Sequence, residues 1–299
     1  MIKRKIVFVL GAGASIPLGY PSGEDLKTQL VQRLSNGDPL WSTVRAIPTL
    51  HDAELQELRN ALQFSGAQSV DALLEHRGDL QLVGKASIAA LLLEYEDKSK
   101  LFAPGTWLGY VFNKMRSPFQ EFSKNAIAFV TFNYDLSIEE YLHTALTNSY
   151  QARPEEIMEQ YQGIRIIHLH GQLGELDWMR KELRRYGEGK NSTRVCFETA
   201  KSIKVISEAH PASKEFEEAR SLITSASEVV FIGFGYQPDN MGRLMPALSQ
   251  TTATLRGSSM GLGFQERESA VKIIGQKRLR IDALGLEALD YLKENIKLD

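Results

Sequence analysis

The sequence predicts an α/β fold: a parallel sheet with helices on both faces and a helical insertion after the first strand. Two observations carry this. Short runs that are apolar nearly throughout recur along the chain, with helically spaced segments between them, as strands buried on both faces of a parallel sheet require. Each run also ends in small or polar residues, and open α/β sheets hold their ligands at those carboxyl ends.

The first run, Ile6-Val7-Phe8-Val9-Leu10, is β-branched, too short for a helix, and passes straight into Gly11-Ala12-Gly13-Ala14-Ser15. Two glycines permit a tight turn and close approach of a ligand to the backbone. A helix after the turn would face that ligand with its free N–H groups and positive dipole end, which points to a phosphate or a dinucleotide. The dinucleotide fingerprint is incomplete, because position 16 is Ile, and no Gly-Lys-Ser/Thr follows to make a Walker A loop. A strand-to-helix turn without a ligand also accounts for these five residues.

Four further strand-like runs are Ala126-Ile127-Ala128-Phe129-Val130-Thr131, Ile164-Arg165-Ile166-Ile167-His168-Leu169, Arg194-Val195-Cys196-Phe197 and Val229-Val230-Phe231-Ile232-Gly233. The long stretch between the first two runs reads as helix. Leu55, Leu58 and Leu62 are helically spaced; Val70-Asp71-Ala72-Leu73-Leu74-Glu75, Ile88-Ala89-Ala90-Leu91-Leu92-Leu93 and Trp107-Leu108 with Val111-Phe112 follow. Gly37-Asp38-Pro39 and Ala103-Pro104-Gly105 mark loops. One domain over 1–299 is expected, with a Rossmann-like core of 1–30 and 126–299 and a helical insertion of about 31–125. Residues 177–226 add helices around the Cys196 strand. The end of the chain alternates: 253–261 extended, 266–274 helical, 278–281 a short strand and 284–296 a closing helix.

Composition sets limits. With 43% hydrophobic and 24% charged residues in 299, the chain has ordinary globular composition and is long enough to need no disulfide or metal for its core. A formal net charge of −2 gives no basic excess of the kind that marks nucleic-acid binding. The densest basic cluster, Arg180-Lys181 with Arg184-Arg185, reads as a solvated helix face. The one cysteine, Cys196, can form neither an internal disulfide nor a four-cysteine zinc site; its neighbours make it a buried strand residue rather than a nucleophile. No apolar run reaches membrane-span length, and the run after Lys3-Arg4-Lys5 is too short for a signal segment. A cytoplasmic protein is expected, with no membrane association.

The strand ends carry the chemistry. The second ends in Thr131-Phe132-Asn133-Tyr134-Asp135. Asp135 caps the helix that follows. Asn133, at the sheet edge, offers a donor and an acceptor that could orient a water or bond a ribose hydroxyl; a turn-forming Asn is the alternative. The third ends in His168-Leu169-His170-Gly171. Strand alternation sets both histidines on one face, but no carboxylate or cysteine cluster completes a metal site. His170, at the tip, titrates near neutrality and suits general-base work, with Gly171 admitting a ligand closely; structural histidines are the alternative. The fifth ends in Gly233-Phe234-Gly235-Tyr236, a second glycine-bearing turn suited to adenosine or ribose. Two such turns, with an Asn and a His at intervening tips, describe one crevice.

In that order, Gly11-Ala12-Gly13-Ala14-Ser15, Asn133-Tyr134-Asp135, His170-Gly171 and Gly233-Phe234-Gly235 resemble the sirtuin superfamily, and more closely the bacterial sirtuin-like NAD hydrolases of antiphage defence. The segment Val70-Asp71-Ala72-Leu73-Leu74 resembles an insertion helix of that group. The resemblance implies that NAD is the substrate, that Asn133 and His170 are the catalytic pair, and that Ala12, Ser15 and Asp135 contact NAD together with Gly11, Gly13, Ala14 and the 233–235 turn. It departs from the protein deacylases, which carry four zinc cysteines and a Gln where Phe132 stands. Cleaving the nicotinamide–ribose bond needs no metal and no strong acid, because nicotinamide leaves neutral. The implied activity is NAD glycohydrolysis, giving nicotinamide and ADP-ribose, restrained by a homo-oligomer or a separately encoded partner. A non-catalytic NAD or ADP-ribose sensor is the alternative. A deacylase or ADP-ribosyltransferase fits less well, and a dehydrogenase least, for want of the third fingerprint glycine.

Overall fold

The structure is a computed structural model and describes residues 1–180, 183–205, 208–275 and 279–299. Strand β1 (Ile6–Leu10) leads into helices α1 (Gly23–Arg33), α2 (Pro39–Arg45), α3 (Asp52–Phe64), α4 (Val70–His76), α5 (Gln81–Leu93), α6 (Lys98–Leu101) and α7 (Trp107–Met115). Then come β2 (Ile127–Thr131), α8 (Ser137–Ser149), α9 (Pro154–Gln162), β3 (Arg165–His168), α10 (Thr193–Ala200), α11 (Lys214–Thr224) and β4 (Glu228–Ile232). The chain closes with α12 (Pro238–Gln250), β5 (Thr254–Gly257), α13 (Phe264–Ile274), β6 (Leu279–Ile281) and α14 (Ala288–Asn295).

The six strands form one sheet in the order β3-β2-β1-β4-β5-β6, every neighbouring pair parallel. This is the Rossmann-like α/β architecture, and its switch point lies between β1 and β4. The central strands β1, β2 and β4 are buried on both faces, as their unbroken apolar runs require, whereas Arg165 of β3, Thr254 of β5 and Arg280 of β6 are exposed. Ile6, Phe8, Leu10 and Phe129 face one core with the helices between β1 and β2, α8, α10 and α14. Val7, Val9, Val130 and Phe231 face the other, under α11, α12 and α13. Phe8 stacks on Phe129 with ring centroids 5.6 Å apart.

Register matters most for the site. Leu10 pairs with both Thr131 and Ile232, and Thr131 pairs with His168. The four strands therefore end level, and residues far apart in sequence emerge side by side above the switch point.

Three expectations need correction. The expected strand at Arg194-Val195-Cys196-Phe197 is helix α10. Ser192 caps it by accepting from the Val195 N–H, and Cys196, Thr199 and Ala200 bury one helical stripe, with Cys196 Sγ donating to the Ala86 carbonyl of α5 at 3.2 Å. A cap and a packed stripe outweigh the β propensity of four residues. Burial pushes the Cys196 thiol up to about 12. The basic cluster is not a helix among the described residues, and it is solvated only in part: Arg180 and Arg185 are exposed. Lys181 lies outside the described residues, whereas the Arg184 side chain is buried, forks onto the buried Glu96 carboxylate, and donates to the Leu173 carbonyl at 2.7 Å. Its planar fork suits a buried pair. The closing helix starts only at Ala288, because Asp282 holds the Leu284 and Leu286 N–H groups in a preceding turn. Arg278, the first residue of the expected last strand, lies outside the described residues.

Candidate active site

The 11–15 turn does not run into a long helix. It forms two short 3₁₀ turns, Ala12–Ala14 and Ile16–Leu18, after which Gly19 turns left-handed (φ 100°). Helix α1 begins only at Gly23, with its own Ser22–Asp25 capping box. The expected helix dipole is therefore not aimed from this turn.

The glycines have another use. The Gly13 N–H donates to the Gly233 carbonyl at 3.0 Å, and the Gly11 N–H to the Ile232 carbonyl at 3.1 Å. A Cβ on Gly11 would lie 2.6 Å from Gly233 O, and one on Gly13 2.7 Å from Gly233 Cα. Gly233, at φ 57°, is so close to Ala14 N that no side chain fits. The two glycine turns, which the sequence placed on one crevice, are packed backbone to backbone across the switch point. Ser258 Oγ, at the end of β5, accepts from the Gly233 N–H at 2.9 Å, and Trp107 Nε1 donates to the Ala14 carbonyl at 2.7 Å. Ala14 is itself buried.

Asn133 joins this pair from β2. Its Nδ2 donates to the Gly11 carbonyl and to Ser15 Oγ, both at 2.9 Å. Because a carbonyl only accepts, the NH₂ end must face Gly11. Among the described residues, no protein group bonds its Oδ1, which is left for a ligand or a water. Ser15 Oγ donates a hydrogen bond to Asp135 Oδ2 at 2.7 Å, while Asp135 Oδ1 accepts from the Ser137 N–H at 3.2 Å. Asp135 is not the expected N-cap of α8, a position that Leu136 takes; it stands one residue earlier, steadies the start of the helix through the Ser137 N–H, and anchors Ser15 as well.

The two histidines part company. β3 ends at His168 and Gly171 turns left-handed (φ 73°), so strand alternation does not reach His170. His168 Nδ1 donates to the Asn133 carbonyl and Nε2 faces Glu139 Oε1, each at 2.8 Å. Burial alone would lower its pKa, but the facing Glu139 carboxylate and the Asn133 carbonyl hold it above the ordinary histidine value. His170 stands edge-on to Phe132, centroids 5.3 Å apart, and its buried Nε2 has no hydrogen-bond partner among the described residues. Burial, helped by the nearby Arg243 charge, lowers its pKa to about 4, so the ring is neutral at pH 7. Phe132 in turn packs on Phe234 at 5.2 Å, and Phe234 on Phe231 and Tyr236. Phe234 is buried in this aromatic wall, whereas Gly235 is exposed at its lip. The room expected beside Gly171 for a ligand is filled by the chain itself: a Cβ there would overlap the Ser202 carbonyl.

Several contributors escape a sequence reading. Glu139 is 3% exposed and shares a helix stripe with Leu142 and Leu146; a carboxylate on an apolar stripe was the available signal. Tyr134 donates its hydroxyl to Asp71 of α4 at 2.5 Å, which ties the helices after β1 to the Asn133 strand end. Burial raises the Asp71 pKa. Nothing in the sequence pairs these two residues. No group of three His, Cys, Asp or Glu side chains that could hold a metal ion occurs among the described residues, and among them no helix is long and apolar enough to cross a membrane.

Comparison with known proteins bears on this arrangement. The family model described as "SIR2-like domain" matches residues 127–283, from β2 to just past β6, and so takes in Asn133, Asp135, His170 and the 233–235 turn. The 11–15 turn precedes the matched region, but β1 pairs with β2 and β4 inside it. No curated protein matches the chain. With just over half of its length matched, and with the parallel sheet and level strand ends that such a domain needs, the chain belongs to the SIR2-like domain family.

Proposed function

We propose that the protein is an NAD glycohydrolase that splits NAD and water into nicotinamide and ADP-ribose, serving antiphage defence by depleting NAD. SIR2-like domains use NAD. The observation that carries the finer reading is the state of two side chains: Asn133, locked by its NH₂ with Oδ1 unbonded, and His170, buried with an unpartnered Nε2. Both stand at the strand ends beside the switch point, where α/β sheets bind ligands.

The dinucleotide lies across the joined glycine turns, with Gly11, Ala12, Gly13, Ala14, Ser15 and Asp135 on one side and Gly233, Phe234 and Gly235 on the other. The C1′–N bond breaks with its electron pair leaving on neutral nicotinamide, and positive charge develops on the ribose. Asn133 Oδ1 accepts a hydrogen bond from the attacking water and sets its direction. The water oxygen bonds to C1′, and its proton passes to His170 Nε2, which is neutral and without a competing partner. Phe132, at the position where deacylases carry Gln, fills the space beside His170 with an apolar ring and keeps other nucleophiles out. The core of 1–30 and 126–299 with an insertion of about 31–125 belongs to the same proposal, as does restraint by self-association or a separate partner.

The test is nicotinamide release from NAD by the pure protein across a range of protein concentrations. Release that disappears in Asn133→Ala and His170→Ala supports the reading. Binding of NAD without release at any concentration would make the protein a sensor instead.

A further inference from the structure

We propose that Glu139 and His168 are a positioning pair for the Asn133 amide, which they hold through the main chain. The inference rests on the reading of Asn133 given above. Strand β2 ends at Thr131, so ladder hydrogen bonds no longer fix the chain at residue 133. Three other bonds replace them. The Asn133 N–H donates to Thr131 Oγ1 at 2.9 Å, its carbonyl accepts from His168 Nδ1 at 2.8 Å, and the Tyr134 carbonyl accepts from the Leu173 N–H at 2.8 Å. Of these, only the His168 bond depends on a side chain from a neighbouring strand.

The His168 ring is in turn aimed from the far side. Because the Asn133 carbonyl only accepts, Nδ1 must carry a proton. Glu139 Oε1, 2.8 Å from Nε2, accepts from that nitrogen in turn and fixes the ring plane, so the ring spans two acceptors with an N–H toward each. The groups facing the pair are Glu139 from α8, Asp135 from the loop after β2, and Tyr161 of α9 against Glu139. His168 and Glu139 are 7% and 3% exposed, and both side chains are committed away from the crevice. Their influence therefore passes through Asn133, whose Nδ2 must stay within 2.9 Å of two acceptors. A shift of about 1 Å in such a group costs on the order of 100-fold in rate.

The experiment compares His168→Ala with His168→Asn, whose side-chain amide restores a donor near the place of Nδ1. Two readouts are used: kcat and KM for nicotinamide release, and the NMR signals of the Asn133 side-chain amide, assigned by their loss in Asn133→Ala. Expected are a kcat fall of roughly 10- to 100-fold in His168→Ala with KM within about threefold, displaced Asn133 signals, and recovery of both in His168→Asn. Wild-type turnover with unmoved Asn133 signals in His168→Ala overturns the proposal, and so does a His168→Asn variant no better than His168→Ala. Where His168→Ala does not fold, Glu139→Ala carries the same readouts. Where the wild type releases no nicotinamide, the glycohydrolase reading falls, and the NMR comparison alone decides the positioning pair.

Discussion

On one wall of the candidate site Asn133, Ser15, Asp135 and His168 bond one another and the 11–15 turn. On the other, His170 stands against Phe132, itself packed on Phe234, and its Nε2 has no partner among the described residues. The first wall is rigid because its polar groups are spent on each other, which preorganises the one oxygen left over. The second keeps a titratable group uncommitted and, by removing it from water, neutral. His168 and His170 are two residues apart and take opposite roles, since a strand ends between them.

The sharpest way to break this contrast is His170→Ala. If the uncommitted imidazole takes the proton, nicotinamide release falls about 1,000-fold; a steady-state rate within tenfold of wild type would remove His170 from the chemistry. Asn133→Asp probes the bonded wall. It sets a carboxylate oxygen against the Gly11 carbonyl in place of a donor, and kcat should fall about 100-fold, while an unchanged rate would mean that the amide's orientation is immaterial.

The third prediction uses pH. His170 titrates at about 4 in the folded chain and near 6.5 when unfolded. Between those values the unfolded chain binds a proton that the folded one does not. The contribution is whole above pH 6.5 and is lost as pH falls toward 4, by about 3 kcal/mol in all. Urea unfolding of wild type and His170→Gln at pH 7 and 4.5 checks this: the wild type should lose more stability by about 2–3 kcal/mol, and equal losses would show the ring to be well hydrated. The smallest effect concerns the contact with α4. Tyr134→Phe deletes the hydroxyl that Asp71 accepts and should cost about 1–2 kcal/mol in thermal or urea unfolding. A cost near zero would mean that α4 does not brace the Asn133 strand end.

The centre of the sheet was legible because β1, β2 and β4 are buried on both faces and so appear as unbroken apolar runs; Ile6-Val7-Phe8-Val9-Leu10 and Val229-Val230-Phe231-Ile232 could hardly be anything else. The meeting of strand ends was legible in part, since Gly11, Asn133 and Gly233 mark ends that the sheet brings together. What the residues could not show is long-range pairing. Cys196 looked like a strand residue until α5 supplied the surface that makes it helical. Arg184 looked solvated until Glu96, far upstream, became its partner. His168 and His170 looked alike because alternation is a local rule, and Gly171 ends its reach. The glycines were seen as room for a ligand, when much of that room is taken by the opposing backbone.

That last fact bears on when the site can exist. The floor of the candidate site is a seam between two chain segments, one made before β2 and the other only after β4. Until residue 233 has been translated and β4 has paired with β1, the 11–15 turn lacks the carbonyls that hold the Gly11 and Gly13 amides. A nascent chain that already carries Asn133 and His170 still lacks that seam. For a protein whose proposed reaction drains NAD, the last part of the sheet to join β1 is also what arms the molecule.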